Sequence, residues 1–377
     1  MLSPAARWSV VVAATATMAV SYVDRTALGV LGDAIRTDLE ISNTQFGWIG
    51  TAFAVAYLIS TPLSGWWLDK LGARRGLVGS VLVWSMVAGL HALVPGFGTL
   101  FALRIALGLA EGPGFPGAAQ TVQRVLPETE RARGFGVLFT GSSIGGMLAG
   151  PLASLLFRAF GWRLALLETA IVGLAWIPMW IVVTRSPAVR ELLDKKPEPA
   201  QHQASFYDLV RHPIMIRGLV AVFAVAPAVG FLGQWGGLYL AKSFKVSSGD
   251  AGGYTWLPPL FLDAGALLFG DLASRRRRAA GEPPRLLFAI AMLLAMAMAL
   301  LPLATTPWQG MAVISVSLAG GGAIYTLTTS DMLSRIPIHQ VSFAGGILAG
   351  AQSLAAIIMH PLIGASVDAS GNYDSVG

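Results

Sequence analysis

Cysteine is absent from all 377 residues, which excludes disulfides, thiolate metal sites and thiol nucleophiles and leaves the redox compartment unread. Charge is scarce as well. Asp, Glu, Lys and Arg make up 12% of the chain against 54% hydrophobic residues, a balance that no water-soluble domain of this length carries on its surface. The apolar runs far exceed the ten or so residues of a barrel strand, so a membrane β-barrel is excluded too. No H-E-x-x-H, paired-Asp or Ser-His constellation occurs, which leaves no intramembrane hydrolase chemistry to assign. The net charge of +6 invites a nucleic-acid partner, but the basic residues sit in alternate short loops, a topological pattern that leaves nucleic acid out. What remains is an all-α polytopic membrane protein, not an enzyme.

Charge-free runs of about 20 residues mark the crossings. The first ends at Gly32, and the second runs from Thr44 to Leu68. Gly76 to Leu103 holds the third and the start of the fourth, divided at Pro95-Gly96; the fourth continues to about Val122. Gly134 to Phe157 and Leu164 to Thr184 are the fifth and sixth. Residues 185–212 then turn polar and read as a cytoplasmic linker between residues 1–184 and 213–377. Gly218 to Ala241, Ala251 to Ala273, Leu286 to Ser330 (broken between Pro302 and Pro307) and Ile336 to Val367 complete eleven. Ala14-Thr15-Ala16 mimics a signal cleavage site, but the helix runs on past it. Lys and Arg gather around Lys70 to Arg75, Arg124 to Arg133, Arg185 to Arg211 and Arg275 to Arg285. The alternate loops keep only Arg36, Arg158, Arg163, Lys242 and Lys245, which puts the N-terminus in the cytoplasm.

Inside the first crossing stands Tyr22-Val23-Asp24-Arg25. An acid or a base at mid-membrane costs about 2.5–3.5 kcal/mol and marks a functional site by default. Arg104 and Glu111 place a second base and acid seven residues apart, on one face of the fourth helix. Two acids and two arginines sum to zero when all are ionised, which lets an apolar interior hold them. Arg offers a planar fork for a carboxylate and keeps its charge. Protonating Asp24 is expected to free Arg25 of an internal partner, leave the site positive and favour an incoming anion. Proton and anion then bind cooperatively.

The loop after the second crossing reads Gly65-Trp66-Trp67-Leu68-Asp69-Lys70-Leu71-Gly72-Ala73-Arg74-Arg75 and resembles the G-x-x-x-D-(R/K)-x-G-x-R-(R/K) signature of the major facilitator superfamily at every fixed position. A degenerate copy follows the eighth crossing as Phe269-Gly270-Asp271-Leu272-Ala273-Ser274-Arg275. The two copies imply parallel six-helix repeats. On that pattern a twelfth helix is expected near position 389 and is missing from the supplied chain, which therefore reads as a truncated copy; a natural eleven-helix protein is the alternative. The signature implies a gate at Asp69, Lys70, Arg74 and Arg75, with Asp331 beyond the tenth crossing grouped with them.

Within the superfamily, Tyr22 with Asp24-Arg25, Leu103-Arg104 through Glu111 to Phe115-Pro116, Gly141 to Gly145, Gly161-Trp162-Arg163, Trp235 to Leu240 and Leu257-Pro258 to Gly265 resemble the anion:cation symporter family, nearest its bacterial sugar-acid branch. That resemblance implies proton coupling at Asp24 and Glu111 and anion binding at Arg25 and Arg104, with Tyr22 and Tyr57 lining the site. Gln234, Trp235, Tyr325, Thr328 and Gln352 are the candidates from the second half. Thr61 departs from the family's usual Gln, and Gln352, Ser353 and His360 stand where an Asn is expected. The expected partners are a small organic anion and the lipid bilayer, for a monomer in the inner membrane. Protons are the coupling ion, and no other cofactor or metal is expected. Two alternatives stand beside import by symport. Gly146 to Pro151 partly resembles an element of drug antiporters, which suggests a proton-coupled exporter, and a non-transporting sensor of carboxylates is the other.

Overall fold

The structure, a computed structural model, describes residues 2–194, 211–275, 285–335 and 338–373, with the side chains at 65–66, 69, 128, 132, 274–275, 329–330, 332–335, 338–346 and 349 outside the description. In chain order the helices are α1 (Pro4–Val30), α2 (Gly32–Leu39), α3 (Asn43–Leu90), α4 (Phe97–Glu111), α5 (Gly114–Val125), α6 (Glu128–Val183) and α7 (Pro187–Asp194). They continue as α8 (Pro213–Phe244), α9 (Ser248–Thr255), α10 (Leu257–Arg275), α11 (Arg285–Ala295), α12 (Pro307–Arg335) and α13 (Ile338–Ser370). Every described element is helical, which satisfies backbone groups inside each segment as a bilayer requires.

Local signals in the sequence set the boundaries. Pro4 sits in the first turn of α1 behind the Ser3 cap, where its missing N–H is not needed. Ser42 and Gln45 form a reciprocal capping box at the start of α3, at 3.1 Å and 2.8 Å, which satisfies two amides at that terminus. Both α3 and α6 hold two crossings. The chain reverses inside them at Gly72 (φ 77°) and Gly161 (φ 79°), a backbone region open to glycine at little cost.

Among the described residues nine segments are long and apolar enough to cross a membrane. One of these, Thr129–Val183, holds the fifth and sixth crossings on either side of Gly161. The fourth is not among the nine because Gly112-Pro113 divides it into α4 and α5, where proline removes a helical donor. Allowing for both recovers the eleven expected crossings. A 3₁₀ stretch, Met296–Leu303, carries the ninth crossing to its end, a continuation that the apolar run did not announce.

The polar stretch after Thr184 is not all linker. Pro187–Asp194 is a helix whose Val189 and Leu193 are buried in the core of the first half, and Arg124 Nη1 donates to Leu193 O at 2.5 Å. Residues 195–210 lie outside the described part.

Hydrogen bonds between residues 1–184 and 213–377 gather toward one end. Asp368 of α13 caps α3, accepting from Asn43 N (3.1 Å), Asn43 Nδ2 (2.6 Å), Thr44 N (2.8 Å) and Thr44 Oγ1 (2.7 Å). A carboxylate there also meets the positive end of the helix dipole. Ser154 Oγ donates to Ser248 O at 2.7 Å, and Arg158 pairs with Asp250. Nearer the middle, Ser143 Oγ donates to Asp263 Oδ1 at 2.7 Å, which turns that intramembrane acid into a tie between the halves.

Candidate functional site

Asp24 and Arg25 are neighbours on α1, and neighbours on a helix point about 100° apart. The structure therefore corrects the expectation that they partner each other. Arg25 Nε donates to Glu111 Oε2 at 2.8 Å, and Ser21 Oγ donates to the same oxygen at 2.7 Å. Asp24 turns instead into the first half, to a small cavity lined by Leu28, Ala88, His91, Arg104, Leu107, Leu166 and Thr169. The four-residue spacing explains each set. Ser21 precedes Arg25 by one turn and Leu28 follows Asp24 by one, so each shares its neighbour's face.

The Arg25–Glu111 pair is unevenly placed. The Glu111 side chain is fully buried, whereas 22% of the Arg25 side chain is exposed. Only Nε of the guanidinium is engaged by Glu111, leaving the planar Nη edge for a second carboxylate. Aromatic rings surround the group: its central carbon lies 4.4 Å from the Tyr57 ring centroid, 4.8 Å from Phe53 and 5.2 Å from Tyr22. Ring faces stabilise a cation by about 0.5–2 kcal/mol each while leaving its donors free. Phe53 also lies 4.7 Å from the Arg104 guanidinium. It separates the two basic groups and stacks on Tyr57.

Arg104 and Glu111, on one face of α4, stand about 10 Å apart along its axis and make different direct contacts, while Glu111 stays within electrostatic range of both Asp24 and Arg104. Glu111 belongs with Arg25; Arg104 belongs with Asp24 and His91.

The second half contributes less than expected. Tyr325 on α12 is exposed and within electrostatic range of Tyr22, and Gln352 on α13 is exposed. Gln234 and Trp235 are buried in the contact between halves. Gln234 Nε2 donates to Phe46 O at 3.2 Å, and Trp235 Nε1 donates to His360 Nδ1 at 3.3 Å. Trp235 also meets Phe46 edge to face, with centroids 5.8 Å apart. Thr328 is buried with its methyl toward Gly218 of α8. Thr61 bonds back to Tyr57 O at 2.8 Å within its own helix.

Of the gate residues, Arg74 Nε donates to Thr184 Oγ1 at 3.2 Å, while Arg74 O accepts from Trp180 Nε1 at 3.2 Å. Lys70 and Arg75 are exposed. Asp331 Oδ2 lies 3.9 Å from Arg217 Nη1, so it ties α12 to α8. The Asp69 side chain lies outside the described residues.

Ser21, Phe53, His91 and Thr169 were not singled out from sequence. Ser21 and Phe53 were legible in principle, each one turn before a residue that was. His91 carried the same signal as Asp24, an ionisable group within an apolar run.

Long apolar helices enclosing an exposed guanidinium edge and two buried acids define a multi-pass membrane transporter rather than an enzyme. Residues 14–360 match the Major Facilitator Superfamily, and the chain belongs to it. It is 28% identical to the galacturonate transporter of Dickeya chrysanthemi over 70% of this chain and 80% of that one. It is 25% identical to the hexuronate transporter of Escherichia coli strain K12 over 97% and 88%. The D-galactonate transporter of Escherichia coli O6:H1 is likewise 25% identical, over 92% and 86%. Among solved structures, a bacterial homologue of the human lysosomal transporter Spinster, inward-facing and unoccupied, superposes with a TM-score of 0.77 at 18% identity over 98% of this chain and 86% of that one. That likeness shows the fold.

Proposed function

We propose that the chain is a proton-coupled symporter that imports an organic anion, a sugar acid or related carboxylate, by alternating access. The single observation that carries this reading is the half-engaged Arg25. Its Nε is held by buried Glu111 and its flanks by three rings, while its outer edge stays available to a carboxylate. The sugar-acid names of the relatives support the substrate class.

The coupling follows from charge. With Glu111 ionised, Arg25 is neutralised from inside and an arriving anion competes with that pair. A proton on Glu111 removes its charge, and the anion then supplies the missing negative charge. Each ligand favours the other by the same factor, typically about 1–3 kcal/mol in linked sites. Arg104 and Asp24 form the second base and acid. Tyr22, Tyr57, Tyr325 and Gln352 offer hydroxyl and amide groups to the hydroxyls of the solute.

On this proposal residues 1–184 and 213–377 are the two moving bundles joined by 185–212. The N-terminus is cytoplasmic, the membrane is the inner one, and a monomer suffices. The Asp69–Arg75 loop and Asp331 act as the cytoplasmic gate, and the ties around Asp368 close the outer side. The test is uptake of labelled galacturonate, galactonate, glucarate and simple monocarboxylates into vesicles holding the purified chain, with acid outside. Accumulation that vanishes when the gradient is collapsed is expected. Accumulation indifferent to the gradient would overturn symport.

A further inference from the structure

The cavity beside Asp24 holds polar groups that the Arg25–Glu111 pair does not hydrogen-bond. Asp24, His91 and Arg104 are 4%, 3% and 3% exposed. Nε2 of His91 and Nε of Arg104 are buried without a hydrogen-bond partner among the described residues, and the Asp24 carboxylate makes no well-formed hydrogen bond, with the Thr169 hydroxyl beside it. An orphan of this kind costs about 1–3 kcal/mol, and groups so placed around one cavity call for something that both donates and accepts. The space open to a water centre is about 10 Å³, about the least that holds a single water among several polar groups.

The chemistry of His91 is set by its other nitrogen. Nδ1 lies 2.9 Å from Val87 O, and a carbonyl only accepts, so in the neutral ring Nδ1 carries the hydrogen and Nε2 is a bare lone pair. His91 begins the 3₁₀ turn His91–Leu93 that closes the third crossing, four residues before the Pro95-Gly96 loop, and so stands between that end of the bundle and Asp24. The charged groups around it are Asp24 from α1 and Arg104 from α4; Thr169 from α6 is neutral, and Glu168 beside it is only partly buried. The guanidinium in the same cavity disfavours a metal ion and equally a lasting imidazolium, so a proton taken up by the His91 lone pair is driven on to the Asp24 carboxylate.

We propose that His91 is a proton-relay residue serving Asp24 through a water held in this cavity, on a path separate from the one the anion takes. A proton from outside bonds to Nε2 while Nδ1 keeps its own. Nε2–H then gives its proton to the water, the water passes one of its protons to an Asp24 oxygen, and the imidazole returns to its neutral form. One proton has moved and no other bond has changed. The inference rests on the symport proposed above and adds the entry route.

The test uses the full chain in vesicles with galacturonate as probe, comparing gradient-driven uptake with gradient-free counterflow. His91→Asn keeps an N–H for Val87 O and has no second ring nitrogen. His91→Asn and His91→Ala are both expected to slow driven uptake about a hundredfold, the scale of a lost proton-transfer group, and to slow counterflow far less. Driven uptake by His91→Asn equal to that of the parent would reduce His91 to a structural bond and overturn the relay. An equal fall in both assays would do the same. Gradient-driven uptake in the parent, lost in Arg25→Ala but intact in His91→Asn, sinks the relay alone; a parent indifferent to the gradient sinks the symport with it.

Discussion

The two halves of the molecule are built to one plan and stocked differently. Residues 1–184 supply Asp24, Arg25, Arg104 and Glu111, four groups on α1 and α4 that sum to zero when all are ionised. Residues 213–377 offer the exposed Tyr325 and Gln352 and bury Gln234, Trp235 and His360 in packing against the first half. Removing one member of a buried charge pair strands the other at several kcal/mol. Neutral hydroxyls and amides tolerate rearrangement. On the proposed function, the first half handles protons and anchors the anion while the second adds neutral contacts to the solute, so the effects of substitution should be unequal across the molecule.

The largest effect is expected from Arg25→Ala. It removes the anion's fork and leaves Glu111 buried without its base, and losing one partner of a desolvated charge pair costs about 2–5 kcal/mol. Binding of galacturonate, followed by calorimetry on purified protein, should weaken by at least about thirtyfold, and transport should disappear. Next comes Glu111→Gln. The amide oxygen still accepts from Arg25 Nε and Ser21 Oγ, so the pocket stands, but the group no longer takes up or releases a proton. Counterflow should persist while accumulation against a gradient is lost; full accumulation would move the coupling elsewhere in the first half.

The seam between halves should respond more mildly. Asp368→Asn keeps some hydrogen bonds to Asn43 and Thr44 but removes the charge that meets the α3 terminus, a change of about 0.3–1 kcal/mol. The cysteine-free background allows one reporter. Gln234→Cys, buried in the seam, should react about two- to fivefold faster with a membrane-impermeant maleimide when Asp368→Asn is added, and an unchanged rate would show that the cap does not hold this end closed.

Much of this was legible beforehand, and the gaps have physical causes. Apolar run length recovered the crossings because a bilayer constrains length strongly. Gly161 announced its turn, while Gly112-Pro113 divided the fourth crossing more sharply than its hydropathy implied. Asp24, Arg25, Arg104 and Glu111 stood out because charge is expensive in that setting. Their pairing did not, since adjacency in sequence suggested Asp24 with Arg25 while helical geometry sends the two side chains to different compartments. Phe53 carries no signal of its own, an apolar ring inside an apolar helix, and only its place one turn before Tyr57 could have pointed to it. Gln234 and Trp235 were drawn to the solute by their polarity, yet Phe46 across the seam satisfies the one and His360 of the same half the other.

A single hydroxyl offers the sharpest check on the division between halves. Tyr325 is exposed and near Tyr22, and Tyr325→Phe removes one hydroxyl while leaving every charge and the ring in place. A single neutral hydrogen bond is worth about 0.5–1.5 kcal/mol net, so the apparent affinity for galacturonate should fall roughly two- to tenfold. The ratio of driven uptake to counterflow should stay at the parent's value, because no proton-carrying group has been touched. A change in that ratio as large as the one from Glu111→Gln would mean that the second half also handles protons, and the division proposed between the halves would fall with it.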